Sequence, residues 1–315
     1  MTKIALKGKK VTGTKKKDKI TWVSSKLWKK ALTVNAGKGN DIINFKKSKY
    51  KNTLNGQDGN DTIYGGKNVD KINGGKGKDK LYGYNGNDII KAGAGNDYID
   101  GGAGNDKIYG ENGTNTLKGG TGNDSIYAGT GTDKIWGGAG NDLIDLSKGG
   151  KNTVYGDAGA DKIVNIKGNS VVDGGADNDT IVALSGSNTL NGGAGDDSIT
   201  GGNGNDTIYG GKGHDIINAG TGNNRIYYEA GDGSDTIISG GGNDTISFNG
   251  MGLADLSSDI FGNDAIIYYA GQNVVLKDYA KNKHSVTYIE TGGGMSDIES
   301  FLGCYVGTNN DDTSV

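Results

Sequence analysis

Residues 74–82 read Gly74-Gly75-Lys76-Gly77-Lys78-Asp79-Lys80-Leu81-Tyr82, and residues 101–109 read Gly101-Gly102-Ala103-Gly104-Asn105-Asp106-Lys107-Ile108-Tyr109. The same nine-residue unit continues without a slip over residues 56–145 and, after one extra residue, over residues 147–227. Self-similarity at a short fixed period is the sequence signature of a solenoid. The repeat therefore decides the fold class before any single strand is assigned.

Each position of the repeat has a physical role. Glycine at positions one, two and four allows positive φ angles and close approach of carbonyl groups. Aspartate at position six supplies carboxylate oxygens. An aliphatic residue at position eight lies between polar residues at seven and nine, which is the period-two pattern of a strand with one buried face. Two repeats, or 18 residues, make one coil. The pattern predicts an all-β parallel solenoid.

The unit resembles the nonapeptide of the RTX (repeats-in-toxin) family, whose consensus is G-G-x-G-x-D-x-U-x with U a large aliphatic residue. The resemblance covers about two-thirds of the chain. It implies a calcium-loaded parallel β-roll in which each ion lies between one turn and the turn one coil away. The implied ligands are backbone carbonyls and the position-six aspartates of both turns.

The residues themselves also favour calcium. A ladder of carboxylates at one coil spacing repels itself strongly without cations. Carbonyl and carboxylate oxygens suit Ca²⁺, which accepts six to eight oxygen ligands in flexible geometry, better than Mg²⁺ or zinc. One aspartate in a glycine-rich turn would be an ordinary Asx-turn, but a long series in register is not. The predicted ligands are Asp41, Asp61, Asp70, Asp79, Asp88, Asp97, Asp106, Asp124, Asp133, Asp142, Asp161, Asp179, Asp197, Asp206, Asp215, Asp235 and Asp244.

Because repeats alternate sides, the position-six residues form two columns. The column from Asp70 to Asp235 contains aspartate throughout, whereas the column from Asp41 to Asp244 is interrupted by neutral residues. An asparagine can satisfy neighbouring backbone groups with its own amide, so we expect metal-free corners there. Asn68 and Asp177 replace glycine at position four and weaken the Asp70 and Asp179 sites. The interrupting residues are Asn115, Asn152, Ser170, Asn188 and Asn224.

Composition excludes several classes of protein. The 315 residues include 61 glycines, no proline, one cysteine and two histidines. Collagen would need glycine at every third position with abundant proline, and one cysteine excludes an intramolecular disulfide framework. Residues 1–51 hold 16 lysines and two aspartates, while the remainder holds 18 basic and 35 acidic residues. This acidic bulk is unsuited to nucleic acid, and no apolar run is long enough to be transmembrane.

The two ends of the chain depart from the repeat. We expect a Lys-rich N-terminal cap over residues 1–26, with a first irregular coil, a surface-charge anchor or a flexible arm as alternatives. The repeat roll is expected over 27–249, and a β-rich C-terminal flank over 250–315 shields the open end of the roll. Strands are predicted at 265–269, 273–276 and 286–289. Ser296-Asp297-Ile298-Glu299 predicts a capping box that opens a short helix. The last five residues resemble a type I secretion signal.

Aromatic residues occur repeatedly at position nine, on the outer side of the strands. One predicted sheet carries Tyr64, Tyr82, Trp136, Tyr155, Tyr209 and Tyr227, and the other carries Tyr109 and Tyr127. Tyrosine is a good strand residue that tolerates half-exposure, which is the simpler explanation. The more specific explanation is that these residues form an aromatic face that binds a second copy of the chain or a surface glycan.

These observations predict a secreted, extracellular protein, associated with a cell surface or matrix, that folds on binding several Ca²⁺ ions and has a structural or adhesive role. No catalytic constellation stands out, because His214 lies at a variable turn position and His284 has no nucleophile nearby. The alternative is an accessory or secretion module of an extracellular enzyme or toxin. Ice binding ranks last, since position three carries few threonines.

Overall fold

The computed structural model describes residues 2–3, 10–21, 31–238, 240–279 and 286–302. The chain divides into two compact units, Met1–Thr180 and Ile181–Val315. Within the described ranges, no helix has the length and apolar character needed to cross a bilayer. His284, Cys304 and the secretion signal predicted at 311–315 lie outside the described residues.

The first unit consists of two sheets whose strands alternate along the chain. Its first sheet contains β1 (Thr2–Lys3), β3 (Asp18–Thr21), β5 (Ile42–Asn44), β7 (Thr62–Tyr64), β9 (Lys80–Asn85), β11 (Tyr98–Ala103), β13 (Thr116–Thr121), β15 (Lys134–Ala139), β17 (Thr153–Ala158) and β19 (Val171–Ala176). Its second sheet contains β2 (Lys10–Thr12), β4 (Thr33–Lys38), β6 (Thr53–Asp58), β8 (Lys71–Lys76), β10 (Ile89–Ala94), β12 (Lys107–Tyr109), β14 (Ser125–Tyr127), β16 (Leu143–Asp145) and β18 (Lys162–Lys167).

Neighbouring strands of each sheet are parallel and one coil apart. Ile90 pairs with Ile108, and Leu81 pairs with Ile99, so the predicted 18-residue coil is confirmed. The position-eight side chains face inward and are almost completely buried. Each coil therefore stacks its aliphatic residues on identical positions of the next coil, which gives a narrow continuous core.

The longer strands extend through positions seven to nine and on to positions one to three of the next repeat. Gly101, at position one, has no positive φ angle, contrary to the expectation for this position. Its glycine is needed for space, because a Cβ there would overlap both the Asp106 carboxylate and the carbonyl oxygen of Gly119. Gly104, at position four, does have a positive φ of 126°.

The N-terminal segment is part of the sheets. Strand β2 pairs with β4, and β3 pairs with β5, both in parallel register. Asp18 precedes Ile20 as Asp41 precedes Ile43, so Gly13–Thr21 is a degenerate repeat in which Thr14 and Lys16 replace the glycines of positions two and four. The division predicted at residue 26 therefore does not coincide with the start of the sheets.

Strand β20 (Thr180–Ser185) begins at the last residue of the first unit. The first sheet of the second unit contains β21 (Thr189–Ala194), β23 (Thr207–Lys212), β25 (Arg225–Tyr228), β27 (Asp244–Phe248), β31 (Val286–Thr291) and β32 (Gly294–Asp297). Its second sheet contains β22 (Ser198–Thr200), β24 (Ile216–Asn218), β26 (Asp235–Ile238), β30 (Gln272–Lys277), β29 (Asp264–Tyr269) and β28 (Leu256–Phe261).

The flank extends both sheets of the second unit. Strand β30 pairs parallel with β26, and β31 pairs parallel with β27, while β28, β29 and β32 pair antiparallel. The three strands predicted in the flank are thus present. A 3₁₀ turn spans Leu253–Asp255 and a short helix, α1, spans Ile298–Phe301. The N-cap of α1 is Asp297, which accepts from two backbone N–H groups, rather than the predicted Ser296.

Large aromatic rings close the core of the second unit. The rings of Tyr228 and Phe248 are stacked with centroids 5.6 Å apart, and Tyr269 of the flank lies 5.2 Å from Phe248. All three side chains are buried. The flank therefore covers core side chains at the point where the regular aliphatic column ends, as a solenoid requires.

Candidate metal sites

All the aspartates predicted as ligands lie inside the roll, each no more than 3% exposed. They are tied to one another through the backbone. In the first unit, the N–H of Asp88 donates to Oδ1 of Asp106 at 2.6 Å, and the N–H of Asp106 donates to Oδ1 of Asp124 at 2.7 Å. The second unit has the same bond from Asp197 to Asp215 at 2.8 Å. Each carboxylate is thus held by the preceding coil, and both predicted columns are present within each unit.

The other carboxylate oxygen, Oδ2, has a different environment. Among the described residues it is buried without a hydrogen-bond partner at most position-six aspartates. A buried polar atom that is left unpaired is costly, so a regular series of such oxygen atoms fits a row of cation ligands. The aspartates concerned are Asp41, Asp61, Asp79, Asp88, Asp97, Asp106, Asp124, Asp133, Asp142, Asp161, Asp206, Asp215 and Asp235.

Backbone carbonyls converge on the same oxygens. The position where a Cβ of Gly137 would lie is in contact with both Oδ2 of Asp142 and the carbonyl oxygen of Gly156, one coil later. In the second unit, Gly192 has the same relation to Asp197 and Gly210. Glycine at position one therefore keeps room beside a carboxylate and a carbonyl from successive turns.

Burial raises the pKa values of these carboxyl groups. The pKa of Asp88 rises to about 8, chiefly through desolvation; the backbone N–H of Asp70 opposes the rise, and the Asp106 and Asp70 charges add to it. Desolvation likewise raises the pKa of Asp124 and of Asp235 to about 7. Burial therefore disfavours full ionisation of the column at neutral pH, and a bound cation would reverse this.

The donor set fits calcium. In the described part of the chain, no three His, Cys, Asp or Glu side chains are close enough together to hold an ion by themselves. A cation at these sites must therefore take backbone carbonyls in addition to carboxylates. Flexible all-oxygen coordination of this kind is what Ca²⁺ accepts, whereas zinc prefers nitrogen and sulfur ligands.

Three of the neutral position-six residues, Asn115, Asn188 and Asn224, donate hydrogen bonds with their side-chain amides. Nδ2 of Asn115 donates to the carbonyl of Gly110 at 3.1 Å, and Nδ2 of Asn188 donates to that of Gly186 at 3.0 Å. Asn224 donates to Oδ1 of Asp244 at 2.9 Å. Nδ2 of Asn152, in contrast, is buried without a partner among the described residues. The interpretation that asparagine satisfies the turn internally therefore fails at Asn152.

Two further residues extend the columns of the first unit toward the N-terminus, ahead of the first predicted aspartates. Asn52 donates its N–H to Oδ1 of Asp70 at 2.6 Å and so precedes Asp70 in its column. Asp18 donates its N–H to Oδ1 of Asp41 at 2.7 Å and so precedes Asp41 in the other column. At Asp18 and Asp70 the Oδ2 atom accepts from the backbone N–H four residues earlier, at 2.6 Å in each case. These two carboxylates are therefore satisfied without an ion.

Position five forms a second ladder on the outside of the turns. The N–H of Asn105 donates to Oδ1 of Asn87 at 3.0 Å, and the N–H of Asn123 donates to Oδ1 of Asn105 at 2.9 Å. These bonds point to the preceding coil, whereas the aspartate bonds point to the following one. The side chain at position five therefore has a structural role in the turns. The frequent Asn-Asp pair in the sequence was the signal that could have revealed both ladders.

The aromatic residues at position nine stack in pairs. Centroids are 5.1 Å apart for Tyr64 and Tyr82, and 5.7 Å apart for Trp136 and Tyr155. In the second sheet of the first unit, Tyr109 and Tyr127 stack at 5.0 Å. Stacked pairs one strand apart are therefore present in both sheets of the first unit.

Two further tyrosines enlarge the Tyr64–Tyr82 pair. Tyr98 lies 5.6 Å from Tyr82, and Tyr84 lies 6.3 Å from Tyr64. Tyr84 has a φ of 75° at position two, where most repeats have glycine, so an aromatic ring is retained there despite backbone strain. The Lys46 ammonium lies 4.1 Å from the Tyr64 ring centroid, a cation–π contact.

Comparison with known families agrees with the geometry. The family described as RTX calcium-binding nonapeptide repeat (4 copies) matches more than half of the chain, over residues 49–81, 82–117, 109–144, 147–164, 167–190, 182–217, 191–226 and 227–250. The chain belongs to the RTX repeat family. Its repeats are calcium-binding repeats, and the predicted family and β-roll fold are confirmed. No curated protein sequence is similar enough to this RTX chain to count as a match.

Two solved structures match this RTX chain at low sequence identity. A hyperactive, Ca²⁺-dependent, β-helical antifreeze protein from an Antarctic bacterium is 19% identical, with a TM-score of 0.41, over 89% of this RTX chain and 94% of the other. The extracellular lipase LipA from Serratia marcescens is 16% identical, with a TM-score of 0.22, over 76% of this chain and 43% of its own. At these scores neither structure carries a functional argument.

Proposed function

We propose that this RTX protein is secreted, folds when calcium binds outside the cell, and serves as a structural or adhesive component of a surface layer or matrix. The observation that carries the proposal is the series of buried aspartate Oδ2 atoms that lack a hydrogen-bond partner among the described residues. Such atoms disfavour folding without a cation and favour it with one. Calcium is therefore both ligand and folding signal.

The energetics support calcium-gated folding. Each repeat buries essentially one aliphatic side chain, whereas ordering the backbone costs about 1–2 kcal/mol per residue. Glycine adds to this cost because it loses more conformational freedom than other residues. Binding of ions to the folded state alone offsets the deficit through linkage. At low calcium concentration the chain would stay unfolded, a state suited to export.

The proposed ligands are the position-six aspartates, and we expect them to differ in how strongly they bind calcium. We expect the strongest sites between Asp88 and Asp161, where carboxylates succeed one another in the Asp70 column. Asp70 itself contributes less, since Gly66 N–H already satisfies its Oδ2. The column that contains Asn115 and Asn152 binds fewer ions.

The stacked aromatic pairs support an adhesive role. Tyr64, Tyr82, Tyr84 and Tyr98 form one cluster in the first unit, and all four are half-buried at the surface. Rigid aromatic rings on a sheet give large contact areas at little cost in side-chain entropy, and such residues dominate many interfaces. We infer that they contact a glycan or another copy of the chain.

Calcium titration of the full chain tests the folding proposal. Circular dichroism in chelator should show little strand content, and millimolar calcium should restore it, whereas magnesium at the same concentration should not. Electron microscopy with and without calcium then reports monomers or assemblies. Full strand content in chelator that calcium leaves unchanged would contradict the proposal.

A further inference from the structure

The second unit contains a cavity of about 300 Å³ where the flank meets the last regular strands. Strand β25 contributes Arg225 and Tyr227, β27 contributes Ser247, and β31 contributes Glu290. The volume lies at the lower end of the range for small-ligand pockets. None of these residues is a position-six ligand, so the cavity is separate from the calcium columns.

The polar side of this cavity is organised around one ion pair. Nη2 of Arg225 lies 2.7 Å from Oε2 of Glu290, and the Ser247 hydroxyl donates to the same oxygen at 2.9 Å. Arg225 is the only arginine in the sequence. Its side chain is 40% exposed and that of Glu290 is 30% exposed. Donors and acceptors are therefore fixed in position while still reachable from solvent.

The aromatic side of the cavity continues onto a stacked pair. The rings of Tyr227 and Tyr209 lie 4.9 Å apart with an angle of 10° between their planes. The Arg225 guanidinium lies 5.7 Å from the Tyr227 ring centroid, and its Nη1 is 3.4 Å from the Tyr227 hydroxyl. The two rings are stacked face to face, so Tyr209 covers one face of Tyr227. The opposite face of Tyr227 lies on the side of its strand partner Ser247, where the fixed hydrogen-bonding groups are.

We propose that this cavity binds one neutral pyranose unit of a polysaccharide, which stacks on the face of Tyr227 that Tyr209 leaves uncovered. The C–H face of a pyranose carries partial positive charge that suits the negative face of an aromatic ring. Its vicinal hydroxyls each donate and accept, which matches the guanidinium and carboxylate of the Arg225–Glu290 pair. The proposal rests on, and deepens, the adhesive part of the proposed function.

Charge favours a neutral sugar over an acidic one. Arg225 and Glu290 neutralise each other. The Glu229 carboxylate accepts from Asn249 Nδ2 at 3.3 Å, and Asn249 lines the cavity. The Glu229 charge also raises the pKa of Tyr209, behind the larger effects of burial and the neighbouring Tyr227. A uronic acid would therefore meet the negative charge of Glu229, which is bonded to a lining residue of the cavity.

The ion pair also joins β31 of the flank to β25, so a purely structural role has to be separated from binding. Arg225→Lys keeps a charge opposite Glu290 but loses the planar, bidentate donor. Tyr227→Ser removes the ring and leaves the ion pair intact. If Glu290→Gln impairs folding, these two variants still decide the question, because neither removes the acidic partner that holds the flank.

The experiment is calorimetric titration of the full calcium-loaded chain with cellohexaose, chitohexaose, laminarihexaose and an alginate hexamer. We expect binding of at least one neutral hexamer, weakened about tenfold or more by Tyr227→Ser and by Arg225→Lys, which corresponds to about 1.4 kcal/mol. The matched control is Tyr127→Ser, which removes a ring from the stacked Tyr109–Tyr127 pair and should bind like the parent.

The outcomes separate this proposal from the proposed function. Failure of every neutral hexamer to bind, a preference for alginate, or parental affinity in both Tyr227→Ser and Arg225→Lys would overturn the saccharide site. Calcium-induced folding, followed by circular dichroism in the same samples, would remain intact in that case. Loss of calcium-induced folding in the parent would instead overturn the proposed function.

Discussion

The backbone N–H of Asp88 donates to Oδ1 of Asp106 at 2.6 Å, across one full coil. This bond fixes the carboxylate and directs its other oxygen, Oδ2, toward the interior, where it has no hydrogen-bond partner among the described residues. The fold therefore fixes one oxygen of each carboxylate, Oδ1, through the backbone. The other oxygen, Oδ2, is available to a cation. Because the apolar core is small, binding of such cations can supply the stability that the core does not.

Removing a carboxylate from the Asp70 column should reduce calcium binding. In Asp142→Ala, both the Oδ2 atom and the acceptor for Asp124 N–H disappear. We expect fewer bound ions and a higher calcium concentration at the folding midpoint, with stability in saturating calcium reduced by about 1–3 kcal/mol. Ion counts by native mass spectrometry and calcium-dependent circular dichroism measure both effects.

Asn152→Ala is the matched control in the opposite column. Asn152 accepts from Asp133 N–H at 2.8 Å, just as Asp142 does from its neighbour, but it has no carboxylate. Stability should fall through the lost hydrogen bond while the ion count stays at the parental value. Equal loss of calcium in the two variants would show that the columns do not differ in metal binding.

Acid should stabilise the calcium-free fold. Burial raises the pKa of Asp88 from 3.8 to about 8 and that of Asp79 to about 7. The folded calcium-free chain therefore binds more protons than the unfolded chain between about pH 4 and pH 8, so the free energy of unfolding rises as pH falls through this window. In chelator, strand content should be higher at pH 5 than at pH 8. A loss of strand content on acidification would contradict this expectation.

Calcium binding should show the opposite pH dependence, and one substitution should separate the two effects. Protons compete with calcium for Asp88, so calcium affinity should fall from pH 8 to pH 6. Asp88→Asn mimics the protonated group: it should stabilise the calcium-free form at pH 7 by about 1–3 kcal/mol and weaken calcium binding. Strand content in chelator, followed by circular dichroism, and calorimetric calcium titration measure the two effects. Unchanged or lower strand content of Asp88→Asn in chelator would refute the role assigned to burial.

Much of the fold follows from the nine-residue period alone. The alternation around Ile108 gives the inward face, and the 18-residue coil brings Asp88 beside Asp106. Asp18 was not predicted as a column member, because lysines occupy the later turn positions of its repeat and the glycine motif is absent. The polarity of the two ladders could not be read from sequence either, since it depends on which oxygen the stacked backbone N–H groups reach.

The cavity that Arg225 lines could not be predicted from the repeat. Glu290 is 65 positions further along a flank with no repeat, and only the pairing of β31 with β27 brings it beside β25. Similarly, Tyr84 has a positive φ at a position where the repeat normally has glycine. Both features depend on contacts that differ from one coil to the next, whereas the repeat specifies only what all coils share.

The outer asparagine ladder should contribute to stability without contributing to metal binding. Asn105→Ala removes the acceptor for Asn123 N–H on the exposed side of the turn. We expect a loss of about 0.5–1.5 kcal/mol, the net value of a typical hydrogen bond, with the calcium stoichiometry unchanged. Thermal unfolding in saturating calcium and native mass spectrometry test the two statements. Loss of an ion in Asn105→Ala would place the outer ladder among the metal ligands.

The aromatic pairs of the first unit allow a direct test of the adhesive role. Trp136 and Tyr155 stack at 5.7 Å on the first sheet, and Tyr109 and Tyr127 stack at 5.0 Å on the second. Each double substitution to serine should cost about 1 kcal/mol of cross-strand packing or less and leave calcium-induced folding intact. If the first sheet is the contact surface, only the Trp136→Ser, Tyr155→Ser variant should lose self-assembly or glycan binding, as followed by light scattering and glycan pull-down. If both double variants behave like the parent, these rings only favour strand formation. The contact surface would then be expected at the cluster of Tyr64, Tyr82, Tyr84 and Tyr98.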